Sequence, residues 1–205
     1  MKEIKILNER RICMGYSVVT ITREFGSGGR TIGKKLADDL GYDYYDYELV
    51  HKIAQESGFA ESFIEQYGEE SENTGFFAYL GNAWGTSVTD QLYLAERKVI
   101  LELAEKGNCV IVGRCADYIL QDRTDTLNVF IYADMEFKKD RILTLYGERD
   151  MAIEKRILEK DKRRKAHYKY YTDRNWNRAA NYHISLESSE LGIETCVEII
   201  EKIVR

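Results

Sequence analysis

The sequence predicts a doubly wound α/β domain with a mainly parallel central sheet. Short apolar runs of strand length alternate along the chain with longer amphipathic segments, as they do when crossover helices connect parallel strands. The runs are continuous and rich in β-branched residues, which is typical of strands buried on both faces. A glycine-rich loop joins the first run to the first amphipathic segment. Together these observations indicate a parallel sheet covered by helices.

Each strand and helix is predicted from its own pattern. Strands are predicted by apolar runs at residues 17–21, 108–112, 128–132 and 182–186, with a shorter one in the run YDYY at residues 42–45. Helices are predicted by apolar residues at helical spacing over residues 31–41, 87–107 and 192–204. The first two helical patterns stop at Gly41 and Gly107, and glycine commonly follows the C-terminus of a helix.

A chain of this length is expected to form a single domain over residues 1–205. Residues 1–13 precede an internal methionine and are predicted to form an N-terminal arm. Residues 57–86 are rich in glycine and aromatic side chains and are predicted to be a substrate-side insertion. Residues 148–172 combine a helical pattern with many charges, which predicts a long basic helix that could serve as a lid.

The composition excludes several classes of protein. Apolar residues make up 44% of the chain and charged residues 32%, as in globular proteins. The longest apolar stretches are far too short to cross a bilayer, and the N-terminus lacks the apolar segment of a signal peptide, so we expect a cytoplasmic protein without a membrane partner. A net charge of −5 gives no indication of nucleic-acid binding. Four cysteines without CxxC spacing and three histidines argue against a zinc site.

The loop REFGSGGRT at residues 23–31 partly matches the phosphate-binding pattern GxxxxGK[ST]. Gly29 and Thr31 fall on the second glycine and on the hydroxyl position. Arg30 replaces the usual lysine and keeps its charge, while Glu24 takes the place of the first glycine. The loop therefore matches two of the four defining positions and conserves charge at a third.

The context of the loop favours phosphate binding. It joins a buried strand to a helix, so its amide groups are expected to lie at the helix N-terminus, where the helix dipole attracts anions. Arg30 would add a permanent charge, and the Thr31 hydroxyl would be placed to bind Mg²⁺. The alternative is an ordinary strand-to-helix turn that uses glycine for chain reversal. The residues expected to contact the ATP phosphates are Gly26, Ser27, Gly28, Gly29, Arg30 and Thr31.

The segment TITREFGSGGRTIGKKLADDLGYDYYD at residues 20–46 resembles the opening of cytidylate kinases. It is more similar still to the cytidylate kinase-like proteins of bacteria, whose loop typically reads SREFGSGGREIG and so carries arginine at the lysine position. The resemblance covers most of the chain from about residue 16 and is weakest over residues 57–107. It continues in CVIVGRCADYIL, NVFIYAD, KDKRRKAHYKYYTDRNW and NYHISLESSELGIETCVEII.

The resemblance implies the three-layer α/β/α fold of P-loop nucleoside monophosphate kinases, with a helical insertion on the monophosphate side and a basic helical lid. It also implies transfer of the γ-phosphoryl group from ATP to CMP or dCMP with Mg²⁺. Such a reaction needs in-line positioning and cations around the transferring group more than covalent chemistry. Two alternatives remain: a P-loop kinase for another small acceptor, and a nucleotide-binding regulatory protein that has lost turnover.

The resemblance also implies roles for particular residues. Arg114 ends the third strand in a GR pair, and Cys115 follows it where the family has an aspartate. The residues expected to surround the transferring phosphoryl group are Arg30, Arg114, Arg163 and Arg164. The residues expected to bind the acceptor are Asp46, Lys52, Arg114, Asp117, Arg141 and Asp161. The residues expected to bind the metal are Thr31 and Asp134.

Several of these residues also have simpler explanations. Arg114 could form an ion pair with Asp117, Lys52 could be an ordinary exposed lysine, and Asp134 could cap the following helix. The spacing of Arg156, Lys160 and Arg164 predicts that they share one face of the charged helix, which could equally be a solvated surface. A nucleic-acid face is also conceivable there, although acidic residues interrupt the basic stripe.

Overall fold

The computed structural model describes residues 15–46, 88–148 and 151–205. A five-stranded sheet with strand order β2-β3-β1-β4-β5 lies at the centre of the described chain. All four neighbouring pairs of strands are parallel, which confirms the predicted α/β fold. The strands are β1 (Val18–Arg23), β2 (Asp43–Tyr45), β3 (Cys109–Val112), β4 (Thr126–Tyr132) and β5 (Ile184–Glu187).

Helices connect the strands and cover both faces of the sheet. The described helices are α1 (Gly29–Leu40), α2 (Val88–Lys106), α3 (Ala116–Ile119), α4 (Met135–Tyr146), α5 (Ile153–Thr172), α6 (Ser188–Leu191) and α7 (Ile193–Val204), with a short 3₁₀ turn at Ala179–Asn181. None of these helices is long and apolar enough to span a bilayer.

Two buried clusters, one on each face of the sheet, form the core. On one face, Ile100 and Leu103 of α2 pack with Phe130 and Trp176. On the other face, α1 and α7 pack their apolar sides against the alternate residues of β1, β3 and β4. Because the central strands are buried on both faces, most of their residues are apolar, and the threonines and the asparagine among them are buried as well. The result is the three-layer arrangement of helices, sheet and helices.

The sheet brings the loops that follow its strands to a single edge. In the register, Arg23 of β1 pairs with Ile131 of β4, and Ile21 pairs with Val112 of β3. The carboxyl ends of these strands therefore lie side by side, and ligands of open α/β sheets bind at that edge. The glycine-rich loop, the pair of residues after β3 and the residues after β2 and β4 all begin there.

Three of the predicted features lie outside the described residues. These are the N-terminal arm at residues 1–13, Lys52, and the substrate-side insertion at residues 57–86. The predicted lid at residues 148–172 is described except for residues 149–150, and most of it is the single long helix α5.

Candidate active site

The glycine-rich loop is fixed in a tight curl at the N-terminus of α1. Gly28 caps this helix in a left-handed conformation with φ of 84°, which favours glycine. The buried Ser27 hydroxyl lies within hydrogen-bond distance of the carbonyl oxygens of Glu24 (2.9 Å) and Ile131 (3.1 Å). The Ser188 hydroxyl donates to the Ser27 carbonyl oxygen at 2.6 Å. These bonds hold the loop against β4 and leave its inner side at the positive end of the helix dipole.

The negative charge of Glu24 is compensated by a lysine from α4. Lys138 Nζ lies 2.9 Å from Glu24 Oε2, and both side chains are largely buried. The aliphatic part of Lys138 also packs against Gly26, so helix and loop are in direct contact. A carboxylate at the first glycine position of the loop is thus paired instead of facing an incoming phosphate.

Arg30 extends from the loop toward the end of β2, where its guanidinium forms an ion pair with Asp46. Partial burial lowers the pKa of Arg30, but Asp46 and a hydrogen bond with Tyr44 outweigh burial and raise it overall. The pKa of Tyr44 rises to about 12, first because of burial and then because of Asp46. The Arg30 side chain remains 57% exposed, so this pair lies at the open side of the site.

On the other side of the loop, Arg141 approaches the helix N-terminus from α4. Its Nη2 donates a hydrogen bond of 2.9 Å to the Thr31 hydroxyl. A methyl group built on Gly28 would lie 3.5 Å from the Arg141 guanidinium carbon, so the guanidinium borders the curl of the loop. The structure therefore places Arg141 beside the loop, while Arg30 reaches toward β2.

Arg114 is held at the end of β3 by a buried acid. Its Nη1 lies 2.6 Å from Glu96 Oε1, and the Glu96 side chain is only 3% exposed. Arg114 and Cys115 both have positive φ, 59° and 55°, in the turn that leads into α3. Consecutive non-glycine residues in this conformation are strained, and such strain is concentrated at functional sites. The ion pair with Glu96 holds the Arg114 guanidinium in place next to the carboxyl end of β3.

Asp117 is buried and does not face the crevice as an ion-pair partner of Arg114. It accepts hydrogen bonds from the Tyr168 hydroxyl at 2.6 Å and from the Thr22 hydroxyl at 3.4 Å. Burial raises its pKa, and the two hydrogen bonds oppose that rise. The carboxylate therefore links α3, β1 and α5 beneath the site.

Helix α5 contacts the backbone of the loop directly. Asp161 Oδ1 accepts a hydrogen bond of 2.8 Å from the amide of Phe25, and Arg164 Nη1 donates to the carbonyl oxygen of Arg23 at 3.2 Å. Arg164 also lies 3.4 Å from Asp161. Burial raises the pKa of Asp161 against the opposing effects of Arg164 and of the Phe25 amide. Asp161 thus joins the predicted lid to the loop.

The basic face of α5 surrounds a single aromatic ring. Arg156, Lys160 and Arg164 carry their charges at 5.6, 5.0 and 5.6 Å from the centroid of the Phe25 ring. A ring face attracts cations at these distances, so Phe25 partly offsets their mutual repulsion. The three residues that share a helix face in the sequence pattern are brought together over the loop.

The remaining predicted residues lie near this group. Arg163 neighbours Arg164 on α5 and is partly buried. Asp134 caps α4, because its Oδ1 accepts a hydrogen bond of 2.7 Å from the Phe137 amide. Sequence patterns assign no role to Arg23, although it is the first residue of the loop segment, and they do not point to Glu96 or Lys138. Glu96 and Lys138 carry no local signal, because ordinary helical residues occupy such positions.

The oxygen atoms at the loop suit a magnesium ion held mainly by a ligand. No group of three or more His, Cys, Asp or Glu side chains within residues 15–46, 88–148 and 151–205 is placed to hold a metal by itself. Mg²⁺ is commonly bound by phosphate oxygens and water with one or two protein oxygens. The Thr31 hydroxyl accepts one hydrogen bond, from Arg141, and has a second lone pair. Asp134 uses one carboxylate oxygen as the cap.

The family of the chain follows from a match that spans this whole site. The model of the cytidylate kinase-like family matches residues 18–190, from β1 through the end of β5 and most of α6. This chain belongs to the cytidylate kinase-like family. The resemblance inferred from the loop and its flanking motifs is thereby confirmed.

Two relatives of this family member align over more than nine tenths of their own length. A cytidylate kinase of Methanococcus vannielii is 26% identical over 92% of this chain and 99% of its own. A cytidylate kinase of Aeropyrum pernix is 23% identical over 85% of this chain and 91% of its own. Together with the family match, these relatives support a nucleoside monophosphate kinase.

Solved structures support the same fold. An uncharacterised protein of Eubacterium ventriosum is 25% identical, with a TM-score of 0.70 over 91% of this chain and 97% of that one. A shikimate kinase of Bacteroides thetaiotaomicron is 19% identical, with a TM-score of 0.53 and the same coverage. The family member therefore has the three-layer α/β/α fold of P-loop kinases.

Proposed function

We propose that the protein is an ATP-dependent nucleoside monophosphate kinase that transfers the γ-phosphoryl group of ATP to CMP or dCMP. The observation that carries the proposal is the convergence of three elements at one edge of the sheet. The loop presents a helix N-terminus, β3 presents Arg114, and α5 presents basic side chains over Phe25. A crevice lined in this way is suited to two phosphate-bearing ligands that meet end to end.

The loop and α5 would bind the donor. Loop amides at the N-terminus of α1 are suited to phosphate oxygens, and Arg141 adds a cation on the same side. Arg156, Lys160 and Arg164 lie over the loop, where closure around a nucleotide excludes water and strengthens their interaction with phosphate. Arg163 adds charge on the adjoining flank of the same helix. This part of the site would hold the triphosphate.

Arg114 would bind the phosphate of the acceptor. Its ion pair with Glu96 fixes the direction of the guanidinium, which can then form two parallel hydrogen bonds with one phosphate. Arg30 and Asp46 lie at the end of β2 on the exposed side and would contact the acceptor nucleotide. An acceptor phosphate is already an anion at neutral pH, so transfer needs positioning and charge stabilisation rather than a general base.

When magnesium is bound, it neutralises developing charge on the transferring phosphoryl group. Thr31 would hold it through the hydroxyl at the start of α1, and Asp134 would contribute through water. The rest of its coordination would come from the nucleotide and from water.

The proposal is tested by an acceptor screen. Purified protein is assayed with ATP and Mg²⁺ against CMP, dCMP, UMP, AMP and GMP, with ADP release as the readout. We expect the highest kcat/KM with CMP or dCMP. Arg114→Gln should lose at least about 100-fold, as expected when a donor to the transferring group is removed. Arg123→Gln is the matched control, because Arg123 pairs with Glu105 and Asp125 at the opposite edge of the sheet.

The screen also separates the alternatives. Turnover of another small phosphoryl acceptor, with none of the nucleotides active, would favour a P-loop kinase of different specificity. Binding of ATP without turnover of any acceptor would favour a regulatory nucleotide-binding protein. Either result would show that the proposal is wrong.

A further inference from the structure

Arg23, the last residue of β1, runs between two glycines into the crevice. A methyl group built on Gly29 would lie 2.5 Å from Arg23 Cβ and 2.9 Å from Cγ. A methyl group built on Gly113 would overlap Arg23 Nη1 and lie 3.2 Å from Cζ. At Gly29 the contact is with the stem of the Arg23 side chain, so a larger residue would leave it no room. At Gly113 the contact is with the end of the side chain, and the backbone itself, with φ of 83°, also favours glycine. The guanidinium is placed at the end of β3, against the residue that precedes Arg114.

The Arg23 guanidinium differs in its partners from three other arginines of the site. Its Nε is buried and makes no hydrogen bond. Within the part of the chain that the structure describes, no carboxylate forms an ion pair with it. By contrast, Arg30 pairs with Asp46, Arg114 with Glu96 and Arg164 with Asp161.

The buried Nε of Arg23 lacks a hydrogen-bond partner and its guanidinium has no counter-ion among the described residues, which requires a physical reason. Burying a charge without a partner is costly, and an unsatisfied buried polar atom in a native protein calls for an explanation such as strain, a catalytic role, or a water or ion that completes its hydrogen bonding. The backbone holds Arg23 firmly in place, because its carbonyl oxygen accepts a hydrogen bond from Arg164. The two glycines and the central strand leave the side chain few alternative positions. The missing partner is therefore expected to be an anion that enters the crevice.

We propose that Arg23 is a further catalytic residue that binds the phosphoryl group during transfer. The inference rests on the proposed function and gives a role to the arginine that opens the loop motif, to which sequence patterns assign none. Arg23 lies between the start of α1, where the donor would bind, and the end of β3, where Arg114 would bind the acceptor. A planar guanidinium at that point can donate hydrogen bonds to two oxygens of one phosphoryl group.

The reaction step itself exchanges no atom with Arg23. The bond between the γ-phosphorus of ATP and the β–γ bridging oxygen breaks, and its electron pair remains on ADP. A bond forms between that phosphorus and an oxygen of the acceptor phosphate. Arg23 donates hydrogen bonds to the non-bridging oxygens, whose charge must be stabilised during this exchange.

The test compares Arg23→Met with wild type in two measurements. Thermal unfolding is followed with and without inorganic tripolyphosphate, which needs neither a nucleoside nor an acceptor. We expect the unliganded variant to be at least as stable as wild type, because an unpaired charge has been removed. We expect its affinity for tripolyphosphate to fall at least tenfold. In the acceptor assay, kcat should fall by about 10³-fold, the lower end of the effect of an arginine on phosphoryl transfer.

A control and a second variant make the test decisive. Arg123→Met removes an arginine with acidic partners far from the crevice, and it should lower the melting temperature without changing the response to tripolyphosphate. Arg23→Lys keeps the charge but loses the planar fork, so its affinity should lie between those of wild type and Arg23→Met. If Arg23→Met does not fold, unchanged affinity of Arg23→Lys for tripolyphosphate would contradict the proposal.

The remaining outcomes are also informative. A less stable Arg23→Met that still binds tripolyphosphate like wild type would show that Arg23 is structural, and the proposal would be wrong. Failure of wild type to bind tripolyphosphate would also overturn it. If no nucleoside monophosphate is phosphorylated but the tripolyphosphate results are as expected, the proposed kinase function fails while Arg23 remains an anion-binding residue.

Discussion

Arg30 occupies the lysine position of the phosphate-binding loop, but its charge is directed toward a neighbouring strand. The long side chain of Arg30, with its planar guanidinium, reaches Asp46, which follows β2. A lysine at this position would be shorter and carry a point charge on a flexible stem, so it would not hold Asp46 in the same way. On the opposite side of the loop, the Arg141 guanidinium contacts Thr31. Arg30 and Arg141 thus lie on opposite sides of the loop, and Arg30 connects the loop to the end of β2.

We predict that Arg30→Ala lowers kcat/KM by at least about 100-fold, since a cation near the transferring group is lost. Arg30→Lys should retain part of the activity because it keeps the charge. The measurement is the acceptor assay, with Asp46→Asn as a companion variant that leaves Arg30 in place. Wild-type activity in Arg30→Ala would remove Arg30 from the mechanism.

At the scale of single residues, the sequence predicts the loop better than the partners of the loop. The loop is encoded in one continuous stretch between a strand and a helix, so local pattern is sufficient to locate it. Its charge partner Lys138 is 114 positions away from Glu24, and Arg23 is recognisable only when Gly113 is placed beside it. Contacts of this kind depend on the sheet register, which no local pattern contains.

Helix α5 is fixed to the edge of the sheet along much of its length. Asp161 binds the Phe25 amide, Arg164 binds the Arg23 carbonyl oxygen, and Tyr168 binds Asp117. These contacts lie on one face of the helix, one or two turns apart. The sequence pattern predicts a charged helix, but it does not distinguish the buried Asp161 and Tyr168 from the exposed residues around them. One face of α5 is therefore anchored, through the buried Ile157, Asp161, Tyr168 and Thr172, while its other residues are exposed or half-buried.

We predict that Tyr168→Phe lowers the free energy of unfolding by about 1–3 kcal/mol at pH 7, because the buried Asp117 carboxylate loses a donor. Burial already raises the pKa of Asp117 in the folded state, and the Tyr168 hydrogen bond opposes that rise. Without the Tyr168 hydrogen bond, the pKa of Asp117 in the folded state rises further. The loss of unfolding free energy in Tyr168→Phe is therefore largest at pH values above that pKa. The loss should decrease as the pH falls through that pKa and the Asp117 carboxyl becomes protonated.

The measurement is chemical denaturation of both proteins at neutral and at acidic pH. Tyr170→Phe is the matched control, since Tyr170 lies on the same helix and is 71% exposed. Its unfolding free energy should equal that of wild type at both pH values. A pH-independent loss in Tyr168→Phe would indicate a packing effect and contradict the role assigned to the Asp117 hydrogen bond.

For the whole molecule, the predicted architecture is confirmed, whereas the strand order had to come from the structure. Hydrophobic periodicity identifies strands and helices because each type has its own spacing. The order β2-β3-β1-β4-β5 depends on which crossovers the helices make, and several orders are compatible with the same alternation. The central position of β1 nevertheless explains why the loop after it can meet residues from β3, β4 and α5.

We predict that nucleotides stabilise the folded protein as a whole. A ligand present at about 100 times its Kd should add about 2.7 kcal/mol to the free energy of unfolding. For a chain of this size, that corresponds to a rise of roughly 5–10 °C in melting temperature. Thermal unfolding with ATP, ADP and CMP is the measurement, with adenosine as the control without phosphate. The absence of any shift with all three nucleotides would contradict phosphate binding by the loop.

The three cations around Phe25 have a consequence for how a nucleotide approaches the protein. The chain carries a net charge of −5, so at long range it repels a polyanion. Near the loop, Arg156, Lys160 and Arg164 concentrate positive charge, whose influence extends only about 8 Å into solution at physiological ionic strength. Under the proposed function, a nucleotide would be attracted only at short range and at one small part of the surface, and its association rate should fall as salt shortens that reach.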